Sequence, residues 1–183
     1  MLYKILWFIR GLFYSLIFGS FKQPSYLGRP IIIYGIRKIF IGKKVRIYPN
    51  CRMEVHGDNS RIKIGDNVAI GQNVHITSGG LLEIGDSCTI LANVFITNID
   101  HDYSEIGKPI LQQRMIIKET KIGENCFIGI GSAIQAGTIL GKQCIVGANS
   151  VVRGEFPDYC VIVGAPAKII KKYNFDTQRW ERI

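Results

Sequence analysis

Aliphatic side chains recur at every sixth residue over most of the chain. Stepping by six from Ile122 meets only Ile, Leu or Val as far as Val152, and the registers that begin at Ile41, Ile64 and Ile84 meet only Ile or Met. A period of six matches neither an amphipathic helix nor an alternating strand. The positions are Ile41, Ile47, Met53, Ile64, Ile70, Ile76, Ile84, Ile90, Ile96, Ile122, Ile128, Ile134, Leu140, Val146 and Val152.

The residues that follow each aliphatic position are also restricted. The fourth is often small or β-branched, and we expect it to point inward beside the aliphatic side chain, with Gly or Asn allowing the backbone angles of a corner. Three hexapeptides then close one coil of a triangular prism, and coils stack at about 4.8 Å. The pattern predicts an all-β fold, a left-handed parallel β-helix. Glycine directly follows at Gly42, Gly65, Gly71, Gly85, Gly123, Gly129, Gly141 and Gly147.

Longer steps interrupt the repeat and divide the chain. The longest separates Ile96 from Ile122, so residues 97–121 are expected to leave the prism as an excursion. Long loops on rigid scaffolds commonly carry function. The predicted divisions are a short apolar helical segment at 1–27, the β-helix at 28–156 and a C-terminal tail or helix at 157–183.

The N-terminal stretch, residues 1–21, is apolar nearly all round. Lys4 and Arg10 interrupt it, so it fits neither a membrane span nor a signal peptide. Two interpretations stay open: a helix in the membrane interface, with Lys4, Arg10 and Lys22 near headgroups, or a helix packed on a neighbouring subunit or on the end of the core. The net charge of +9 suits an anionic partner. Because no nucleic-acid motif is present, that partner is expected to be a membrane surface or a polyphosphorylated cofactor.

The five cysteines show neither CxxC pairs nor metal-ligand spacing. Four occupy the small inward position, so we interpret them as buried thiols without a catalytic role. Their odd number indicates reduced thiols and a cytoplasmic compartment. The four are Cys51, Cys88, Cys126 and Cys144.

The later repeats resemble the hexapeptide-repeat acyltransferases. The residues that carry this resemblance are the run IGENCFIGIGSAIQAGTILGKQCIVGANSVV and the segment VIVGAPAKII. The branch they look most similar to contains the galactoside and maltose O-acetyltransferases and relatives in bacterial surface-polysaccharide biosynthesis, over about residues 28–172. The resemblance implies a homotrimer with active sites in grooves between prisms, acetyl-CoA as acyl donor, a sugar as acceptor and no metal.

By this resemblance, His101 in the segment TNIDHDY is the general base that removes the proton of the acceptor hydroxyl. A neutral imidazole suits this task because its ordinary pKa is about 6.5. A solvated loop histidine is the plain alternative. Asp100 and Asp102 flank His101, and either is able to orient the imidazole or raise its basicity.

The acceptor side departs from the family pattern. Relatives carry an Asn on the coil that faces the base, whereas Gly71 stands there in this chain. Other Asn residues nearby are candidates for the same task, and His75 is expected to face outward along the acceptor groove. The acceptor-binding candidates are Asp100, Asn73, His75 and Asn98.

The resemblance also places the cofactor along the later coils. Backbone groups there are expected to hold the pantetheine arm, and basic residues after the repeat to hold the phosphates by charge-assisted hydrogen bonds. Lys171 and Lys172 either join these or form a solvated pair. The cofactor-binding candidates are Gly129, Gly131, Ser132, Ala136, Ala148, Arg153 and Lys168.

The same fold is compatible with other functions. A zinc enzyme is disfavoured because the three histidines include no pair spaced as ligands. A non-catalytic scaffold and a xenobiotic acetyltransferase remain alternatives, while a serine acetyltransferase would need a helical N-terminal domain. The expected location is the cytoplasm, at the inner face of the membrane if residues 1–21 contact lipid. The sugar is either free, nucleotide-linked or lipid-linked.

Overall fold

The computed structural model describes residues 2–183, with side chains from residue 4 onward, so that Met1 of the predicted N-terminal segment lies outside the described residues. Three parallel sheets, here called faces A, B and C, enclose one aliphatic interior. The chain passes from face A to B to C and then starts the next coil. The hexapeptide β-helix predicted from the repeat is confirmed.

The strands of each face are given in their order along the prism. Face A contains β1 (Ser20–Phe21), β4 (Ile39–Ile41), β7 (Arg61–Ile64), β10 (Leu81–Ile84), β15 (Thr120–Ile122), β18 (Ile139–Leu140) and β21 (Glu155–Phe156). Face B contains β2 (Tyr26–Leu27), β5 (Arg46–Ile47), β8 (Ala69–Ile70), β11 (Thr89–Ile90), β16 (Phe127–Ile128), β19 (Ile145–Val146) and β22 (Cys160–Gly164). Face C contains β3 (Ile32–Tyr34), β6 (Arg52–Val55), β9 (His75–Ser78), β12 (Phe95–Thr97), β17 (Ala133–Ile134) and β20 (Val151–Val152).

The interior consists of stacked rows of the repeat's own side chains. Each of the fifteen aliphatic positions is at most 4 % exposed. On face A, Ile64 pairs in register with Ile84, and Ile84 with Ile122. The four cysteines of the small inward position are buried as predicted, and Cys160 joins them. Burial raises the pKa of the Cys51 thiol to about 12, so this thiol is protonated at neutral pH.

The corners of the prism contain residues in the left-handed backbone region, at positive φ. The third residue after an aliphatic position takes a positive φ at every corner between faces A and B or between B and C within the repeat. Most of these residues are Asn, whose short polar side chain tolerates this region. Between faces C and A the corners are irregular. The residues with positive φ at the A–B and B–C corners of the repeat are Lys44, Asn50, Asn67, Asn73, Ser87, Asn93, Asn125, Gly131, Gln143 and Asn149.

The glycines directly after the aliphatic positions have a different role from the predicted one. They do not adopt positive φ but lie where the next coil passes closely. A Cβ atom on Gly71 would lie 2.6 Å from the backbone nitrogen of Ala92, and one on Gly85 would lie 2.7 Å from that of Glu124. Glycine is therefore needed here for the close approach of two backbones.

The prism extends beyond the residues that the spacing assigns to it. At the N-terminal side, Phe21 and Leu27 complete a first coil within the predicted helical segment. At the C-terminal side, Phe156 and Ile162 continue the interior rows below Leu140 and Val146. Within each pair the step is six, but Leu27 lies fourteen positions before Ile41 and Phe156 only four after Val152, so the six-residue count does not reach either pair.

The C-terminal segment is formed by strands and not by the helix that was one predicted form. β23 (Ala167–Asn174) pairs antiparallel with β22, and β24 (Arg179–Arg182) pairs antiparallel with β23. Exposure alternates along β23 from Lys168 to Lys172, which is the two-residue period of a strand. The open edge of β22 offers unpaired backbone groups, and β23 satisfies them.

Helix α1 (Leu2–Tyr14) packs on the first coil by one side. Trp7 contacts the rings of Tyr26 and Tyr48 at centroid distances of 5.7 and 5.6 Å. Gly11 is buried so closely that an added Cβ would lie 2.9 Å from the Ser25 carbonyl oxygen. The rest of its surface is largely exposed and apolar. Within residues 2–183, no helix combines the length and apolarity that crossing a bilayer requires.

Substituting Gly85→Ala is expected to destabilise the protein by about 1–3 kcal/mol, because the new methyl group overlaps the backbone of the next coil. The matched control is Ser87→Gly at the same corner, where φ is 57° and glycine relieves the backbone. Urea unfolding measures both. Equal losses in the two variants would contradict the close-approach explanation.

Candidate active site

An arm of residues 98–119 leaves the prism at the corner between faces C and A. Its two strands, β13 (Ile99–His101) and β14 (Met115–Ile117), pair antiparallel, so that Asp100 lies opposite Ile116 and His101 opposite Met115. This arm corresponds to the predicted excursion. A 3₁₀ turn at Ile110–Gln112 lies between the two strands.

Asn98 anchors the start of the arm. It is fully buried, its Oδ1 accepts the Gly79 N–H at 2.8 Å, and its Nδ2 donates to Ser78 Oγ and the Leu81 carbonyl, both at 3.1 Å. The side chain is thus fully engaged within the coil below. This arrangement keeps the Asn98 side chain away from the surface. Its assignment as an acceptor-binding residue stays a prediction.

Asp100 holds the arm to later parts of the chain by charge. Its Oδ2 accepts from Arg153 Nη2 at 2.6 Å and lies 3.6 Å from Lys118 Nζ, while its Oδ1 accepts the His101 N–H at 3.0 Å. The backbone N–H of His101, followed by the charges of Arg153 and Lys118, lowers the pKa of Asp100. The carboxylate is therefore ionised at neutral pH.

His101 directly follows Asp100 in the chain, but its imidazole takes no part in the hydrogen bonds and ion pairs of Asp100. The residue is partly exposed, and none of the described residues makes a hydrogen bond to its ring. Its backbone is held on both sides, by the pairing with Met115 and by the bond to Asp100. A side chain so placed has a free ring nitrogen on a fixed backbone, which is the arrangement a general base needs.

A second polar cluster lies on the outer surface of face C. His75 Nε2 is 3.0 Å from Glu54 Oε2, and Arg52 Nε donates to the same oxygen at 2.6 Å. The Arg52 guanidinium, and to a smaller extent His75, lowers the pKa of Glu54. Phe95 packs on the His75 ring at a centroid distance of 5.1 Å. His75 thus faces outward as expected.

Asn73 lies at the opposite edge of face C from His101. It occupies a B–C corner at a φ of 57°, and its Nδ2 donates to Asn93 Oδ1 at 3.0 Å. This bond joins two neighbouring corners. Within one chain the structure does not bring Asn73 to the arm.

The predicted cofactor residues are divided between the two edges of face C. Those at the B–C corners include Gly131, at a φ of 70°, and the exposed Ala148. Those at the C–A side are the buried Ala136 and the exposed Arg153. Lys168 is exposed on β23. No single edge of one chain therefore carries the whole predicted set.

The remaining two members of that set are buried. Ser132 is 1 % exposed and its Oγ donates to the Gly129 carbonyl at 2.6 Å. A Cβ on Gly129 would lie 2.6 Å from the backbone nitrogen of Ala148. Both residues shape the corner rather than presenting a side chain at its surface.

Sequence reasoning missed three charged residues of these clusters. Lys118 lies at the end of the arm and approaches Asp100 only because β14 pairs with β13. Glu54 and Arg52 meet His75 across neighbouring strands. The alternation of exposed and buried residues in β6 was the one available signal that Arg52 and Glu54 point outward.

Two segments of the chain match models of repeat families. Residues 119–154 match "Bacterial transferase hexapeptide (six repeats)", and residues 61–98 match "Hexapeptide repeat of succinyl-transferase". The two segments lie on either side of the arm. The repeat recognised along the sequence is thus the repeat of these transferases.

Curated relatives show similarity over most of the chain. The chain is 33 % identical over 149 residues to "Probable acetyltransferase Rv3034c" of Mycobacterium tuberculosis, a match that covers 80 % of this chain and 49 % of that protein. It is 41 % identical over 128 residues to "Putative lipopolysaccharide biosynthesis O-acetyl transferase WbbJ" of Escherichia coli, covering 66 % of this chain and 65 % of that protein. The chain therefore spans between half and two thirds of the length of these relatives.

Solved structures share the fold. AntD, an N-acyltransferase from Bacillus cereus in complex with dTDP and 3-hydroxybutyryl-CoA, superposes with a TM-score of 0.78 over 92 % of this chain and 90 % of that chain, at 22 % identity. At this identity the similarity establishes the architecture alone.

Asp100→Asn and Arg153→Gln are each expected to loosen the arm, because each removes the 2.6 Å ion pair. Since the pair is partly exposed, the effect is expected to be at most about fivefold in the exchange rate of amides in residues 98–103. Hydrogen exchange read by mass spectrometry measures it. The double variant should exchange no faster than either single variant, and additive effects would show that the two groups do not act as a pair.

Acid should have the same effect on the arm. The pKa of Asp100 is lowered in the folded state, so its contribution is fully present above the ordinary value of about 3.9 and is lost as pH falls through the lower folded value. Arm exchange, corrected for the intrinsic pH dependence, should rise on acidification in the wild type and stay flat in Asp100→Asn. A parallel rise in both would contradict this assignment.

Proposed function

Since the chain belongs to the hexapeptide-repeat transferases, we propose that it transfers an acetyl group from acetyl-CoA to a sugar hydroxyl, with His101 as the general base. The observation that carries the base assignment is the uncommitted imidazole of His101 on a backbone held by Asp100 and by the β13–β14 pairing. The choice of reaction is supported by two relatives from Escherichia coli whose names describe them as O-acetyltransferases.

The chemistry follows from the charge distribution around His101. A sugar hydroxyl is a poor nucleophile until its proton is being removed, and the neutral imidazole accepts that proton as the oxygen attacks the thioester carbonyl. The carbonyl becomes an oxyanion, which needs preorganised hydrogen-bond donors. Collapse of this intermediate expels the CoA thiolate, which takes up the proton. Asp100 accepts the backbone N–H of His101 and so fixes the backbone that carries the imidazole.

We propose that each active site is shared by two subunits of a homotrimer. The division of the predicted residues supports this, since His101 and Arg153 lie at one edge of face C, while Gly131 and Ala148 lie at the other. Rotation about a threefold axis brings unlike edges of neighbouring prisms together. In the proposed assembly, the Arg153 guanidinium pairs with Asp100 and also binds a phosphate of CoA.

The acceptor is proposed to be a sugar unit of a surface polysaccharide. The name of the Escherichia coli relative, which refers to lipopolysaccharide biosynthesis, supports this choice. The outward His75–Glu54–Arg52 cluster is proposed to bind sugar hydroxyls, because it presents charged hydrogen-bonding groups beside the ring of Phe95. We place the enzyme in the cytoplasm, at the inner face of the membrane, which agrees with its five free thiols.

Replacing the base tests the reaction. His101→Ala should lower kcat about 10²–10⁴-fold with acetyl-CoA and the best sugar of a panel, measured by release of the CoA thiol. The panel includes free, nucleotide-linked and lipid-linked sugars, and a nucleotide-linked amino sugar because AntD is an N-acyltransferase. The control is His56→Ala, which removes a turn histidine that packs on Tyr34 and should leave kcat within about threefold. Loss of less than about tenfold in His101→Ala would overturn the base assignment.

Mixed assemblies test the sharing of sites. His101→Ala and Ala148→Trp are each expected to be inactive, since one lacks the base and the other blocks the B–C edge. Coexpressed, they should recover about a quarter of the wild-type activity, because random mixing creates interfaces in which both edges are intact. Light scattering should give three chain masses of 20.6 kDa each. Mixed assemblies without recovered activity would place the whole site within one subunit.

A further inference from the structure

The positive charge of this protein is concentrated at one end of the chain. Residues 1–53 contain ten Lys and Arg residues and no Asp or Glu. The other thirteen basic residues and all fourteen acidic residues lie in residues 54–183, which therefore carry a net charge of −1. The net charge of +9 thus comes from the N-terminal end, where the helix and the first coils lie.

Most of these cations have no acidic partner. Lys38 lies 3.5 Å from Asp58, Arg52 pairs with Glu54, and Arg10 donates to the Leu27 carbonyl. Six others are exposed and form no ion pair with any described residue, namely Lys4, Lys22, Arg29, Arg37, Lys43 and Lys44.

Large apolar side chains are exposed at the same end. α1 and the turn after it present Leu6, Phe13 and Leu16 at 61, 70 and 82 % exposure. Around these lie Ile5, Phe8, Ile9, Leu12 and Ile17, each at least 39 % exposed. A continuous apolar surface of this kind marks an interaction site in a folded protein.

The cations and the apolar side chains lie at the same end of the prism, because α1 is held against the first coil. Its inner side is fastened to the first coil by Trp7, by Arg10 and by the buried Gly11, so its outer side faces away from the prism. The first coil, β1 to β3, is the terminal strand of all three faces. We call α1, its following turn and the exposed cations of the first two coils the basic apolar end.

We propose that the basic apolar end docks on the surface of an anionic lipid bilayer. The helix lies along the surface with its exposed side among the acyl chains, and the six exposed cations contact headgroups, as in interfacial amphipathic helices. A polyanion alone would not use the leucine and phenylalanine side chains. A second copy of the same end would bring together two sets of uncompensated positive charges.

The expected strength is set by two additive contributions. Each cation near an anionic surface is worth about fivefold in binding, and each buried apolar side chain adds its own transfer free energy. In the proposed homotrimer a cyclic rotation leaves height along its axis unchanged, so three such ends lie at the same level. Docking itself is independent of the acetyl-transfer proposal.

Cosedimentation of the full-length protein with vesicles tests the proposal. Wild type should pellet with vesicles containing about 30 % phosphatidylglycerol in phosphatidylcholine, and much less with phosphatidylcholine alone. Lys22→Glu combined with Arg29→Glu should weaken binding by about 30-fold or more. The matched control, Lys171→Glu with Lys172→Glu, makes the same change in net charge at the other end of the chain and should bind as the wild type does.

The apolar contribution has its own matched pair. Leu6→Ser with Phe13→Ser should weaken binding to anionic vesicles, whereas Ile106→Ser with Leu111→Ser, on side chains 97 and 87 % exposed in the arm, should not. Thermal melts confirm that all variants fold.

Four outcomes would overturn the proposal. One is no vesicle binding by the wild type, and another is an equal loss in a variant and its control. A third is retention of heparin by the basic apolar end without binding to vesicles, which would identify a polyanion. The fourth is a smaller assembly for Leu6→Ser with Phe13→Ser by light scattering, with unchanged vesicle binding, which would identify a second copy.

Discussion

Hydrogen bonding between successive coils is the constraint on which the rest of this molecule depends. Each backbone group in a face pairs with the coil above or below, so all coils must keep the same height and the same three corners. At the corners two backbones approach so closely that Gly71 and Gly85 have no room for a side chain. Two residues after each of these glycines, left-handed positions such as Asn73 complete the turn. The six-residue period of the sequence follows from this geometry, because each period forms one strand and one corner.

The arm gains its precision from that rigid column. It starts at Asn98, whose amide is bonded to three groups of the coil below, and it is tied down again by the ion pair between Asp100 and Arg153. Arg153 directly follows β20, so the arm, which begins after β12, is held by a residue two coils later. His101 is thereby carried on a backbone with little freedom while its ring remains available. If His101 is the base, as proposed, this arrangement orients it before any substrate binds.

A repeat fold also allows charge to be segregated along its axis. Each coil contacts only its neighbours, so the outward residues of the first coils vary without effect on the interior farther along. The first 53 residues use this freedom to carry ten cations and no acid, while their inward residues, such as Phe21 and Leu27, continue the same core. In the proposals made above, the prism separates two tasks, which are docking on lipid at one end and group transfer near the arm.

The sequence by itself determined the prism, because a period of six in aliphatic residues has few structural solutions and because every counted position, from Ile41 to Val152, is buried. It also located the excursion that contains His101, since an interrupted repeat is visible in the spacing, while the role of His101 rests on the family resemblance and stays a proposal. Only the tertiary structure decided that Asn98 is an internal anchor, that Glu54 and Arg52 surround His75, and that the glycines serve close approach rather than turning. It likewise decided that the C-terminal segment forms strands. The physical reason is that the contacts of Asn98, His75 and Arg153 join residues 17, 21 and 53 positions apart, and periodicity along one chain carries no information about which residues lie side by side.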